Sequence, residues 1–187
     1  MKESKDDMPS IVDDLAADGD LVLIVGPERL KLRVHSLFLK AASKPFSALL
    51  GPDWKEGHEM LDRDGPPTEL ILPEDNAAAL QLICTVLHHR NNKVPETLAA
   101  GDVLRVAVTA DKYDFVDALK LASTNWLRPG KNQARDLMLL TSAAYLFQNA
   151  QAFAEITKAL VLTYDGPFLA LSCEEVLSAM TWRVFCE

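Results

Sequence analysis

The chain has 187 residues, enough for one domain with an extension, and 49% of them are apolar, so a sizeable core is expected. Nineteen Lys and Arg stand against 27 Asp and Glu, a formal net charge of −8, and the basic residues are scattered. That balance argues against direct binding of DNA or RNA, because phosphate contacts need clustered cations.

Three cysteines, Cys84, Cys173 and Cys186, lie far apart with no C-x-x-C spacing. Neither a zinc knuckle nor a disulfide framework is expected, and free thiols fit a reducing compartment. The opening "MKESKDDMPS" has no apolar stretch of the kind a secretory leader needs. No run of about 18 apolar residues occurs, so no membrane partner is expected. The cytoplasm or nucleus is the expected location.

In chain order, residues 1–18 read as a mobile acidic arm, in which "IVDDLA" offers one short helical turn at most. Leu21 to Val25 is a β-prone run. Gly26 and Pro27 punctuate a turn. Leu30, Leu32 and Val34 then alternate with Arg29, Lys31 and Arg33, a period of two that predicts a β-hairpin. Leu37, Phe38 and Ala41, then Phe46, Leu49 and Leu50, have helical spacing, with a break at "SKP" between two short helices. Gly51 to Pro67 reads as a loop. "TELILP" is a further short strand.

The remainder is helical. Leu80, Ile83, Cys84 and Leu87 share a face in a helix that Asp75 or Asn76 can cap and that Arg90 suits at its C-terminal end. Val103, Val106, Ala107, Ala110 and Tyr113 form the next stripe. Phe115, Leu119, Ala122 and Trp126 continue it. Beyond "RPGKNQ", Leu137, Leu140, Ala144 and Phe147 line one helix, and Phe153, Ile156 and Leu160 line another. Ser172 and Glu175 have capping-box spacing for a last one. Three early strands followed by many helices predict an α+β or mostly α class, in which a cluster of helices covers a short three-stranded sheet that cannot stand alone.

The stretch "VHSLFLKAASKPFSALL", Val34 to Leu50, carries the polar residues that raise a chemical question. His35 and Ser43 are a base and a hydroxyl, the ingredients of a small hydrolase. That chemistry needs an orienting third group and an oxyanion hole, and no G-x-S-x-G occurs. The alternative is structural. His35 ends a strand and starts a helix, where its ring can bond buried backbone while its carbon face packs. Ser43 can satisfy an orphan N–H at a helix start. His88 and His89 are adjacent, so they face different ways, and His58 stands alone. No metal site and no cofactor are expected.

The ordered set "GDLVLIVGPERLKLRVHSLFLKAASKPFSALL", "WKEG", "ELILPED" and "ADKYDF" resembles the BTB (POZ) domain. Members show an Asp before the first strand, a hairpin, a V/A-H pair, an L-x-x-x-S segment and then a Phe. Asp20, Val34, His35, Leu39, Ser43 and Phe46 stand at those places. The resemblance spans residues 19–127, after the arm at 1–18, and residues 128–187 look like the helical extension of many fungal members.

The resemblance implies a non-enzymatic scaffold or adaptor that associates with other proteins. Its partners would be a second copy of itself, as a homodimer, or a cullin-type ubiquitin-ligase scaffold. Trp54 and Glu56 match the family's cullin-contact motif, an aromatic anchor with a nearby carboxylate. In the other reading Trp54 packs on its own domain and Glu56 is solvated. Asp20 matches the residue that family dimers pair with a base just after the His, but Ser36 stands there instead. Arg33 is a substitute that alternation points outward, and Asp20 can otherwise simply cap or bound the strand. A transcription-linked cofactor that leaves DNA contact to another chain is a third reading.

Overall fold

The computed structural model describes residues 12–52, 66–130 and 132–180. It is α+β. Four strands form one mixed sheet: β1 (Val12–Asp14), β2 (Leu21–Val25), β3 (Leu30–Val34) and β4 (Thr68–Leu72). Their order is β1-β3-β2-β4. The expected hairpin is β2–β3, antiparallel, with Leu23 opposite Leu32. Gly26 takes φ +74 in its turn, and Arg29 follows at φ 54. The third expected strand, β4, runs parallel to β2, with Leu23 opposite Leu70.

β1 corrects the expectation for the arm. Val12–Asp14 is extended and pairs in parallel with β3, Asp13 opposite Leu32. Leu15 and Ala16, just after it, are buried. A strand wins over a helical turn here because β3 offers a free ladder edge, which satisfies the backbone that a single isolated turn would leave to water. Gly19 then lets the chain cross β3 closely. A Cβ there would lie 2.5 Å from the Val34 carbonyl oxygen.

The helices are α1 (Ser36–Ala42), α2 (Lys44–Leu49), α3 (Ala77–Leu87), α4 (Ala100–Lys112), α5 (Lys120–Trp126), α6 (Ala134–Leu146), α7 (Ala150–Thr163) and α8 (Glu174–Ala179). Short 3-10 turns cover Asn91–Lys93 and Phe168–Leu171. Ser43 separates α1 from α2, and Pro45 sits in the first turn of α2, where its missing N–H costs nothing. Asn76 rather than Asp75 caps α3, its side-chain oxygen accepting from the Ala79 N–H at 2.9 Å. The Ser172–Glu175 capping box does not form. Ser172 already donates to the Leu169 carbonyl at 2.6 Å, and Cys173 stands at the N-cap.

Three helices end alike. Past α3, α4 and α6 the chain turns left-handed at His89 (φ 56), Asp114 (φ 56) and Gln148 (φ 53). At each, paired backbone bonds close the end, as from Arg90 N–H to the Thr85 carbonyl and from His89 N–H to the Val86 carbonyl. These are Schellman ends without the usual glycine.

One hydrophobic cluster runs from the sheet (Leu21, Leu23, Leu32, Val34) through α3 and α4 to α6 and α7 (Leu137, Leu140, Ile156, Leu160). The stripe expected as core, Tyr113, Phe115, Leu119 and Trp126, is buried in it. The Trp126 indole N–H donates to the Pro95 carbonyl at 2.9 Å, so its polar edge is satisfied as well.

Candidate functional site

Ser36, Ser43 and the His35 backbone N–H are hydrogen-bonded to the scaffold itself. Asp20 caps α1 from across the chain. One carboxylate oxygen accepts from the Ser36 N–H at 2.7 Å and the other from the Ser36 hydroxyl at 2.6 Å. Arg33, the substitute base, donates instead to the Gly19 carbonyl at 3.0 Å. Asp20 thus stabilises the positive end of α1, although its side chain stays exposed.

Ser43 is bonded on both sides. Its hydroxyl accepts from the Phe46 N–H at 3.0 Å and donates to the Tyr113 carbonyl at 2.6 Å, tying α2 to the end of α4. Phe46, Tyr113 and Phe115 pack around this joint, with Phe46 and Tyr113 ring centroids 4.9 Å apart.

The backbone-bonding role expected of the His35 ring falls to His88. The His35 backbone N–H donates to His88 Nε2 at 2.9 Å, and His88 Nδ1–H donates to the Cys84 carbonyl at 2.8 Å. The acceptor role of Nε2 fixes the proton on Nδ1, so His88 is a neutral imidazole bridging the end of α3 to the β3–α1 junction. The His35 ring itself is half-buried. It lies 3.3 Å from an Asp18 oxygen and edge-on to Phe38. The difference arises because His35 is the N-cap residue of α1, with extended backbone that aims its ring outward.

Burial holds the His88 pKa below the ordinary imidazole value. The Cys84 carbonyl pulls the other way, and His35, Arg90 and His89 add to the lowering. Cys84 is buried among apolar side chains, and burial pushes its thiol up to about 12, which keeps it protonated and unreactive. Among the described residues neither His35 nor His88 is bonded to a serine hydroxyl: His35 meets Asp18, and Ser36 and Ser43 are bonded elsewhere. Among the described residues no group of three His, Cys, Asp or Glu is placed to hold a metal ion.

A second polar joint was not legible in advance. Asp75 is buried at the β4–α3 corner and accepts from Lys112 Nζ at 2.7 Å and from the Tyr113 hydroxyl at 2.8 Å. Burial, then the Asp75 carboxylate, push the Tyr113 phenol up to about 12. Burial works against the Lys112 charge, but the bonds to Asp75 and Tyr113 outweigh it and raise its pKa.

The outer surface carries concave apolar regions. A groove of about 530 Å³ lies between α4, α6 and α8, with Leu104, Val108 and Leu139 in its lining. A smaller depression of about 140 Å³ lies over α6 and α7, lined by Phe153, Leu160, Val161 and Phe168. Of the three residues read as partner-binding, Asp20 is the α1 cap described above. Trp54 and Glu56, like His58, lie outside the described residues. No helix among the described residues is long and apolar enough to cross a membrane.

No protein-family model matches the chain, and a search of curated proteins finds no relative.

Proposed function

We propose that the chain is a non-catalytic protein–protein interaction module, a scaffold or adaptor of the cytoplasm or nucleus. The supporting observation is a set of exposed apolar side chains on α7 and the 3-10 turn after it, among the described residues. Val161 is 61% exposed, Leu162 73% and Leu169 65%, and Phe168 shares the α6–α7 depression with Val161. Apolar side chains exposed to this degree beside a depression suit a surface that another polypeptide covers. Ser36, Ser43 and the His35 N–H fit the same reading, since their bonds hold the scaffold together. The free thiols of Cys84 and Cys173 suit a reducing compartment.

Two versions are concrete: a homodimer and a cullin-binding adaptor. Light-scattering mass at high micromolar concentration tests the first, and pull-down with a cullin scaffold tests the second. A mass of two chains, or capture of the cullin, is expected. Val161→Glu should abolish dimerisation if the α7 surface carries it, while changing stability by no more than about 0.5 kcal/mol at so exposed a site. Trp54→Ala should abolish cullin capture without lowering Tm. A monomer that captures no cullin defeats both versions.

A further inference from the structure

Resting on the interaction-module reading, we propose that the groove between α4, α6 and α8 docks a basic amphipathic helical segment of a partner protein. The floor is apolar. Leu104 and Leu139 lie at its base, and Val108 is 44% exposed although its neighbours Val106, Ala107 and Ala110 on α4 are buried. The volume of about 530 Å³ holds a few anchoring side chains, within the roughly 300–1,000 Å³ typical of binding pockets.

The rim is acidic on both walls. Glu74 stands at the β4–α3 corner, and Glu174 and Glu175 stand on α8. The cations of the groove are offset within it. Arg105 is bonded to Asp102 at 2.7 Å. The Glu175 carboxyl is held below the usual range by the Cys173 thiol and its own backbone N–H, with the charges of Arg135 and Arg105 adding. Asp75 is taken up by Lys112 and Tyr113. Glu74 and Glu174 meet no cation among the described residues. An apolar floor between carboxylates matches a helix with apolar anchors at i, i+3 and i+4 flanked by Lys or Arg. The net charge of −8 works in the same direction, drawing basic segments in and keeping acidic ones away.

The test is fluorescence anisotropy of the full chain with two labelled probes of about 15–18 residues, long enough to form a helix. One carries Leu and Lys at helical spacing; the other replaces each Lys with Glu. The Leu/Lys probe should bind at least about tenfold more tightly. Val108→Arg should weaken it by at least about tenfold. Glu174→Gln with Glu175→Gln should weaken it severalfold and flatten its salt dependence. Gly101→Leu is the second blocking variant: a Cβ there meets only the Arg105 guanidinium, at 3.6 Å, so the side chain enters the groove without disturbing the helix. Leu121→Arg, on α5 and outside the groove, should leave binding unchanged. Equal binding of both probes, or full binding by correctly folded Val108→Arg and Gly101→Leu, overturns the proposal. If those variants bind the probe as the parent does while the chain still dimerises or captures a cullin, the groove assignment fails and the module reading stands. If the probe behaves as expected but neither dimer nor cullin capture is seen, the groove stands and those two versions fall.

Discussion

A single proton on His88 sets the state of the joint between α3 and the β3–α1 corner. The neutral ring accepts from the His35 N–H through Nε2. Protonating that nitrogen puts two donors face to face. The folded pKa lies below the ordinary value of 6.5 because the ring is buried. The unfolded chain therefore takes up the proton first. The contribution of His88 to stability is complete above pH 6.5 and is lost as the pH falls from there through the folded value. Urea unfolding from pH 8 to pH 5 should show stability declining on the acid side, and His88→Gln should flatten that decline. At pH 8, His88→Ala should cost about 1–3 kcal/mol, the penalty for leaving the His35 N–H without its partner. An identical pH profile in His88→Gln would remove His88 as the titrating group.

At the level of elements, β1 ties the segment before Asp18 into the fold. Leu15, 2% exposed directly after the strand, should be sensitive: Leu15→Ala is expected to lower stability by about 2–5 kcal/mol in chemical denaturation. A change within 0.5 kcal/mol would show that this segment contributes little. β1 was hidden in the sequence because its ladder partner is distant. Asp13 pairs with Leu32, and three acidic-leaning residues have no alternation of their own. The hairpin, the β4 strand and the helical stripes were legible because their periodicities are local: Leu30, Leu32 and Val34 for the strand, Leu137, Leu140 and Ala144 for α6. Helix ends were harder. α3, α4 and α6 stop at left-handed His89, Asp114 and Gln148 without the glycine that announces a stop. The site was harder still. His88 meets His35 from 53 residues away, and the groove collects side chains from four segments, each of which alone reads as an ordinary amphipathic face.

For the whole molecule, one core crosses the position where the BTB-like segment and its helical extension were expected to divide. α4 packs on α6 more extensively than any other helix pair described, and the apolar cluster is continuous across Arg128. Unfolding should therefore be a single cooperative step. Far-ultraviolet circular dichroism and tryptophan fluorescence should trace superimposable urea curves, and two separated transitions would mean that the parts fold independently. The left-handed helix ends carry a practical corollary. A side chain in that conformation is strained by roughly 1–2 kcal/mol, and glycine relieves it at a smaller entropic cost. Gln148→Gly is thus expected to raise stability by about 0.5–1 kcal/mol, read as a higher denaturation midpoint. The protein holds unused thermodynamic headroom at a helix end that lines neither the α4–α6–α8 groove nor the α6–α7 depression, from which a hardier background for disruptive surface variants can be built.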